Sequence, residues 1–171
     1  MKVRTESVNA EMGRFPGVQF ERLLPGPIER VWEYLTDPLK LPEWFGQGSI
    51  ETRQGGVVSL MDGHIRGVVT QCRPPHLLIY SWNVYLPGQE VSDYPESYLK
   101  LELEAQKDER VLLKLSHLPV LERFERQNAM GWHTFLDLLE NRLRTGKTQS
   151  RQELMRVNAE RYGLNLDQLV R

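Results

Sequence analysis

The sequence predicts an α+β domain, an antiparallel sheet of six to seven strands curved around one long helix near the C-terminus. Three observations predict it. Residues 120–144 carry the longest helical pattern, with Phe124, Trp132, Phe135, Leu136, Leu139 and Leu143 recurring at spacings of three, four and seven. Almost everything before that stretch alternates with period two, the mark of strands with one packed face. An isolated amphipathic helix is marginal in water, so its apolar stripe needs a partner, and the sheet is the partner at hand. Any site is then expected between helix and sheet.

The elements follow in order. Residues 1–16 are polar and aperiodic and read as a loose arm. A first strand is expected over residues 17–24, with Val18 and Phe20 on one face, ended by Pro25-Gly26-Pro27. Pro27 suits the first turn of a short helix over residues 28–35, whose apolar face is Ile28, Val31, Trp32 and Leu35. Thr36-Asp37-Pro38 breaks it and caps a second short helix over residues 39–44. Strands over residues 49–53 and 57–61 are joined at Gln54-Gly55-Gly56, and Asp62-Gly63 turns into a longer strand over residues 64–73. Gly67, inside that strand, signals a bulge or a close approach. Pro74-Pro75 stops it.

Residues 77–84 then place Leu78, Tyr80, Trp82 and Val84 on one face. Residues 97–105 point Leu99, Leu101 and Leu103 inward, and residues 110–117 do the same with Val111, Leu113, Leu115 and His117. The long helix follows, with Pro119 before it and Gly146 after it. Ser150-Arg151-Gln152-Glu153 matches a capping box and opens a tail helix over residues 151–162, ended by Gly163. The expected organisation is an arm (1–16), a main domain (17–145) and a linker with helical tail (146–171).

Composition excludes several classes of function. At 171 residues the chain is long enough for one domain with a true core. A formal net charge of −1, with basic residues interleaved among acidic ones, argues against nucleic acid as a partner. No apolar run approaches the length of a membrane span. Cys72 is the single cysteine, which rules out an internal disulfide and fits a reducing compartment. With a charged N-terminus lacking an apolar core segment, the expected location is the cytoplasm. His64, His76, His117 and His133 show no ligand spacing, so neither metal nor cofactor is expected. No nucleophile elbow and no phosphate-binding glycine loop occurs.

Particular residues carry a resemblance. Pro25-Gly26-Pro27-Ile28-Glu29-Arg30-Val31-Trp32, Leu35-Thr36-Asp37-Pro38 and Trp44-Phe45 stand near the start. Gly55-Gly56, Gly63, Gly67-Val68-Val69, Pro74-Pro75 and Leu77 through Trp82 stand in the middle. Glu96-Ser97, Leu113-Lys114-Leu115-Ser116-His117 and Gly131-Trp132 through Leu139 stand towards the end. As a set, spanning residues 17–144, they resemble the family named after the activator of the heat-shock protein 90 ATPase. That family lies within the START and birch-pollen-allergen (SRPBCC, helix-grip) superfamily. The resemblance implies a helix-grip fold. It also implies a cavity between helix and sheet, where relatives in the superfamily bind lipids, sterols or polyketides and some cyclise polyketides. The eukaryotic co-chaperone of the family carries a separate large N-terminal domain that this sequence does not show, which argues against chaperone activation.

Candidate site residues come from the aromatic stock and one histidine. Trp44, Phe45, Tyr80, Trp82, Phe124, Trp132 and Phe135 either line an apolar pocket or fill the core, and a mixture is expected, with Trp44 and Phe45 nearest a pocket mouth. Tyr80 and His117 would supply polar anchors. For His117 the plainer alternative is a histidine bonded to backbone at a strand end. The 85–95 loop, with Glu90, Asp93 and Tyr94, reads as a solvated acidic loop or as a lid.

Three functions from different classes follow. The leading one is a non-enzymatic protein that binds a small apolar or amphipathic molecule. The second is a protein-interaction module of co-chaperone type, with a chaperone or other protein as partner. The third is a small cyclase or hydrolase using His117 with a carboxylate such as Glu96. The tail helix is expected to pack on its own domain or on a second copy, as a homodimer.

Overall fold

The computed structural model describes residues 16–169. The expected 1–16 arm therefore lies almost wholly outside the described residues. The order of elements is β1 (Val18–Pro25), α1 (Ile28–Thr36), a 3-10 turn (Leu41–Glu43), β2 (Gly48–Ile50), β3 (Val57–Leu60), β4 (Ile65–Arg73) and β5 (Leu77–Val84). Then come β6 (Ser97–Gln106), β7 (Arg110–Leu118), a 3-10 turn (Glu122–Phe124), α2 (Glu125–Thr145), α3 (Arg151–Arg161) and a last 3-10 turn (Leu166–Gln168).

Seven strands form one antiparallel sheet in the order β1-β7-β6-β5-β4-β3-β2. The inner order is that of consecutive hairpins. β1 joins the far edge by pairing with β7, Phe20 opposite Leu115 and Val18 opposite His117. The inward alternation is as the sequence has it: Leu78 and Tyr80, Leu99, Leu101 and Leu103, and Val111, Leu113 and Leu115 are all buried. Against them lies α2, whose stripe of Ala129, Trp132, Leu136, Leu139 and Leu143 is buried as well. Each large side chain so placed stabilises the fold by about 1.5–3 kcal/mol. Arg22 of β1 adds a charge-assisted tie, its Nη1 2.7 Å from Asp137 Oδ1 and 3.4 Å from Glu140 Oε2 on α2.

Gly67 is required by close approach. A Cβ built there would lie 1.7 Å from the Ser81 carbonyl oxygen, and the register slips by one residue a little further on, between Val69 and Gln71. Glycine at 67 thus serves the close approach of β5, and the irregularity in β4 falls separately, at Thr70.

Three elements differ from expectation, each for a tertiary reason. The long helix begins at Glu125, not at residue 120. Val120 donates its amide to the Pro16 carbonyl at 2.8 Å, Leu121 is extended, and a 3-10 turn intervenes. The second short helix shrinks to the 3-10 turn Leu41–Glu43, with Phe45 and Gly46 both donating to the Leu41 carbonyl. The strand expected over residues 49–53 ends at Ile50, because Arg53 turns back to bond the Glu51 carbonyl. The tail helix forms as expected. Ser150 Oγ accepts from the Glu153 amide at 3.3 Å, and α2 ends at Gly146 in the left-handed region with φ 71°.

Candidate functional site

Between α2 and the open end of the sheet lies a cavity of about 590 Å³. Its walls come from every layer: Phe45 after the first 3-10 turn, Ile65 of β4, Trp82 of β5, Phe124, and Trp132 and Phe135 of α2. The rings form one connected belt. Phe45 stacks on Trp132 at 5.9 Å and meets Phe135 at 4.6 Å, while Trp82 lies 5.4 Å from Trp132. The walls are mostly apolar, with a few polar groups, the usual form of a small-molecule site.

His117 sits inside this belt at the end of β7, 2% exposed, with its ring 5.0 Å from that of Trp82. Its hydrogen bonds fix its tautomer. The Trp132 indole N–H, which can only donate, gives its hydrogen to His117 Nδ1 at 3.0 Å. The proton of the neutral ring is therefore on Nε2, which donates to Ser97 Oγ at 2.8 Å. Ser97 in turn donates to the Trp82 carbonyl at 3.3 Å. The chain Trp132, His117, Ser97, Trp82 is complete with no net charge. Burial pulls the His117 pKa down to about 4.

That arrangement bears on chemistry. A general base needs a free lone pair, and the one on His117 is already occupied by Trp132. Glu96, the carboxylate paired with it in the sequence reading, is exposed and turned to other partners. It accepts from Asn83 Nδ2 at 3.0 Å and from the Tyr98 hydroxyl at 2.8 Å. The two residues are not brought together in a catalytic pair. Among the described residues, no three His, Cys, Asp or Glu side chains gather as metal ligands.

Of the eight ligand-binding candidates, Phe45, Trp82, His117, Phe124, Trp132 and Phe135 line the cavity. Trp44 and Tyr80 do not. The Trp44 indole donates to the Tyr34 carbonyl at 2.7 Å, which turns the ring into the core behind Phe45. Tyr80 stacks behind Trp82 at 6.3 Å, and burial raises the pKa of its hydroxyl. The 85–95 loop is divided: Glu90 and Asp93 are exposed, while Leu86, Tyr94 and Pro95 face the cavity, Tyr94 edge-on to Phe124 at 5.9 Å.

Sequence reasoning missed Ser97, His64, Asn128 and Met155. Ser97 had a signal, as it continues the inward series of Leu99, Leu101 and Leu103. His64, which bonds the Tyr85 carbonyl at 2.7 Å, follows a turn whose geometry its spacing does not reveal. Met155 comes from α3, and nothing in the sequence says which side of the domain that helix meets. α3 packs on α2 of its own chain. Its Asn158 donates to Thr134 Oγ1 at 3.1 Å and to Asp137 Oδ2 at 3.2 Å, and Tyr162 reaches His133.

Known proteins agree with this architecture. The crystal structure of CalU16 from Micromonospora echinospora is similar with a TM-score of 0.69 and 24% identity, over 94% of this chain and 92% of that one. The solution structure of the same protein gives 27% identity and the same TM-score over 94% and 88%. The protein encoded by gene BPP1335 of Bordetella parapertussis gives a TM-score of 0.68 and 25% identity over 91% and 87%. PFC0360w, an HSP90 activator from Plasmodium falciparum, gives 0.57 and 22% over 71% and 93%, a likeness of fold alone. No protein of curated function matches the sequence. The family described as activator of Hsp90 ATPase homolog 1-like protein matches residues 25–144, most of the chain and most of the cavity's lining, and to that family the chain belongs.

Proposed function

We propose that the protein binds a small, uncharged apolar or amphipathic molecule in the cavity between sheet and α2, without chemical change. The observation that carries this reading is the cavity itself. Its volume of about 590 Å³ is well above the roughly 300 Å³ at which small-molecule sites begin. The lining supports the choice of ligand. Among the described lining residues there is no Lys or Arg, and the carboxylate there, Glu122, stands at the exposed rim, which favours an uncharged head over an anionic one. Phe45, Trp82, Phe124, Trp132 and Phe135 would form the walls. Asn128 and Gln127 would stand near the ligand's polar end. His117 would serve by holding Trp82 and Trp132 in place, since both its nitrogens are engaged within the chain.

Native mass spectrometry of the freshly purified protein, gentle against denaturing, tests the reading. A mass lost on denaturation is expected and would identify the ligand. The neutral fluorophore N-phenyl-1-naphthylamine, titrated with energy transfer from the tryptophans as signal, should bind saturably, and dodecyl sulfate should compete poorly. No retained mass together with no saturable binding overturns the proposal.

The interaction-module reading keeps one observation in its favour besides the family name. Val57 and Val68 lie opposite each other on β3 and β4, 55% and 46% exposed. Two valines make a small patch next to those that mark protein interfaces. Co-purification with a chaperone, lost on Val57→Glu, would raise this reading above the first.

A further inference from the structure

We propose that α3 is a working part of the cavity, a wall that swings away on the 147–149 linker to let the ligand in and out. The inference rests on the binding reading above and adds to it the route of exchange.

The wall is visible in two turns of the helix. Met155 lines the cavity directly. One turn earlier Arg151 donates to the Phe45 carbonyl, and its guanidinium lies over the Phe135 ring at 5.0 Å. Phe45 and Phe135 are cavity walls themselves, so the first turn of α3 braces the belt from outside while Met155 closes it.

The seam that holds α3 is built to part. Of its eleven residues only Asn158 and Ala159 are buried, and Val157 is 54% exposed. Leu154 and Tyr162, partly buried, pack against the core, and the remaining ties are polar. Asn158 bonds Thr134 and Asp137, Tyr162 and Arg161 bond the two nitrogens of His133, and Arg126 donates to the Tyr162 carbonyl at 3.3 Å. Asn158 Oδ1, also buried, meets no donor among the described residues. Parting this seam uncovers Leu154, Met155 and Ala159 but otherwise hands polar groups back to water, so it costs less than opening the sheet from α2, whose buried stripe carries Trp132, Leu136, Leu139 and Leu143. The hinge is equally apparent. α2 ends at left-handed Gly146, residues 147–149 carry no regular structure, and the Ser150 cap belongs to α3 and moves with it.

Stopped-flow mixing with N-phenyl-1-naphthylamine tests the proposal, with hydrogen exchange of the α3 amides read in parallel. Asn158→Ala loosens the seam without touching the cavity. It should raise association and dissociation rates together, about tenfold, while Kd stays within about threefold. Should Asn158→Ala fail to fold, Tyr162→Phe loosens the same seam more gently and should raise both rates about threefold. Met155→Ala should act on affinity instead, weakening Kd about fivefold. Rates equal to wild type in both seam variants, with binding intact, overturn the moving wall and leave the cavity reading standing. No saturable binding by the wild-type protein overturns both.

Discussion

Helix α2 carries two seams, and each holds a histidine. On its inner side Trp132 meets His117 across an apolar cavity wall, and on its outer side His133 faces α3. In both cases burial is the leading cause that pulls the histidine's pKa down to about 4. The surroundings differ. His117 is held by an indole and a hydroxyl, both uncharged. His133 stands among ions: Arg161 from α3 donates to its Nε2, Asp137 lies 3.8 Å away on its own helix, and Arg22 reaches in from β1. Asp137 works against burial there, and Arg161 and Arg22 work with it. The inner seam therefore fails as part of the core. The outer one has a counter-ion ready when it loses its fit.

The largest expected effects break the inner seam. Trp132→Ala removes a ring that touches Phe45, Trp82 and His117 and leaves a void joined to the cavity. A loss of about 3–5 kcal/mol is expected in urea unfolding. Acid comes next. For His117 the folded pKa of about 4 lies below the ordinary 6.5, so its contribution is whole above pH 6.5 and is lost as pH falls towards 4. The loss is on the order of 3 kcal/mol below the folded pKa, because burial disfavours the charged ring; the added proton on Nδ1 would also displace the Trp132 N–H bond. Urea midpoints at pH 7, 5.5 and 4.5 check the sign, and in His117→Gln the slope should flatten. Ser97→Ala leaves His117 Nε2–H without its acceptor at 2.8 Å and should cost about 1–3 kcal/mol.

The same contrast explains what was legible in the sequence. β5 was readable to the residue, since Pro74-Pro75 precedes it and Leu77–Val84 is a short apolar run rich in aromatic and branched residues. His117 was readable as an inward position because it continues the series of Val111, Leu113 and Leu115. The start of α2 was not. The amide of Val120 is taken by Pro16, a residue more than a hundred positions away, and no local pattern contains that fact. Trp44 and Tyr80 fell on the core side for a similar reason, as ring direction at the end of a short turn or on a crowded strand is decided by neighbours. The outer seam was the least readable. Leu154, Val157 and Tyr162 suggested an apolar face on α3; Leu154 and Tyr162 do pack against the core, but Val157 is exposed, and the most deeply docked residues are Asn158 and Ala159. Seams made of polar bonds leave no period in the sequence.

The smallest global effect should come from Tyr162→Phe, and its value lies in where the effect appears. His133 Nε2 accepts from Arg161, so its proton is on Nδ1, which donates to the Tyr162 hydroxyl at 3.0 Å. Removing that oxygen weakens docking by about 1 kcal/mol. If α3 opens separately from the domain, the α3 amides exchange about fivefold faster while those of β6 and the urea midpoint stay at wild-type values. Acidification should act on the same amides with the sign set by His133. Its folded pKa of about 4 is below 6.5, so docking weakens as pH falls from 6.5 towards 4. In Tyr162→Phe that dependence should persist, because the charges facing His133 from Arg161, Asp137 and Arg22 are unaltered. Equal acceleration in α3 and β6 would mean that the two seams open as one, and the distinction between them would fall.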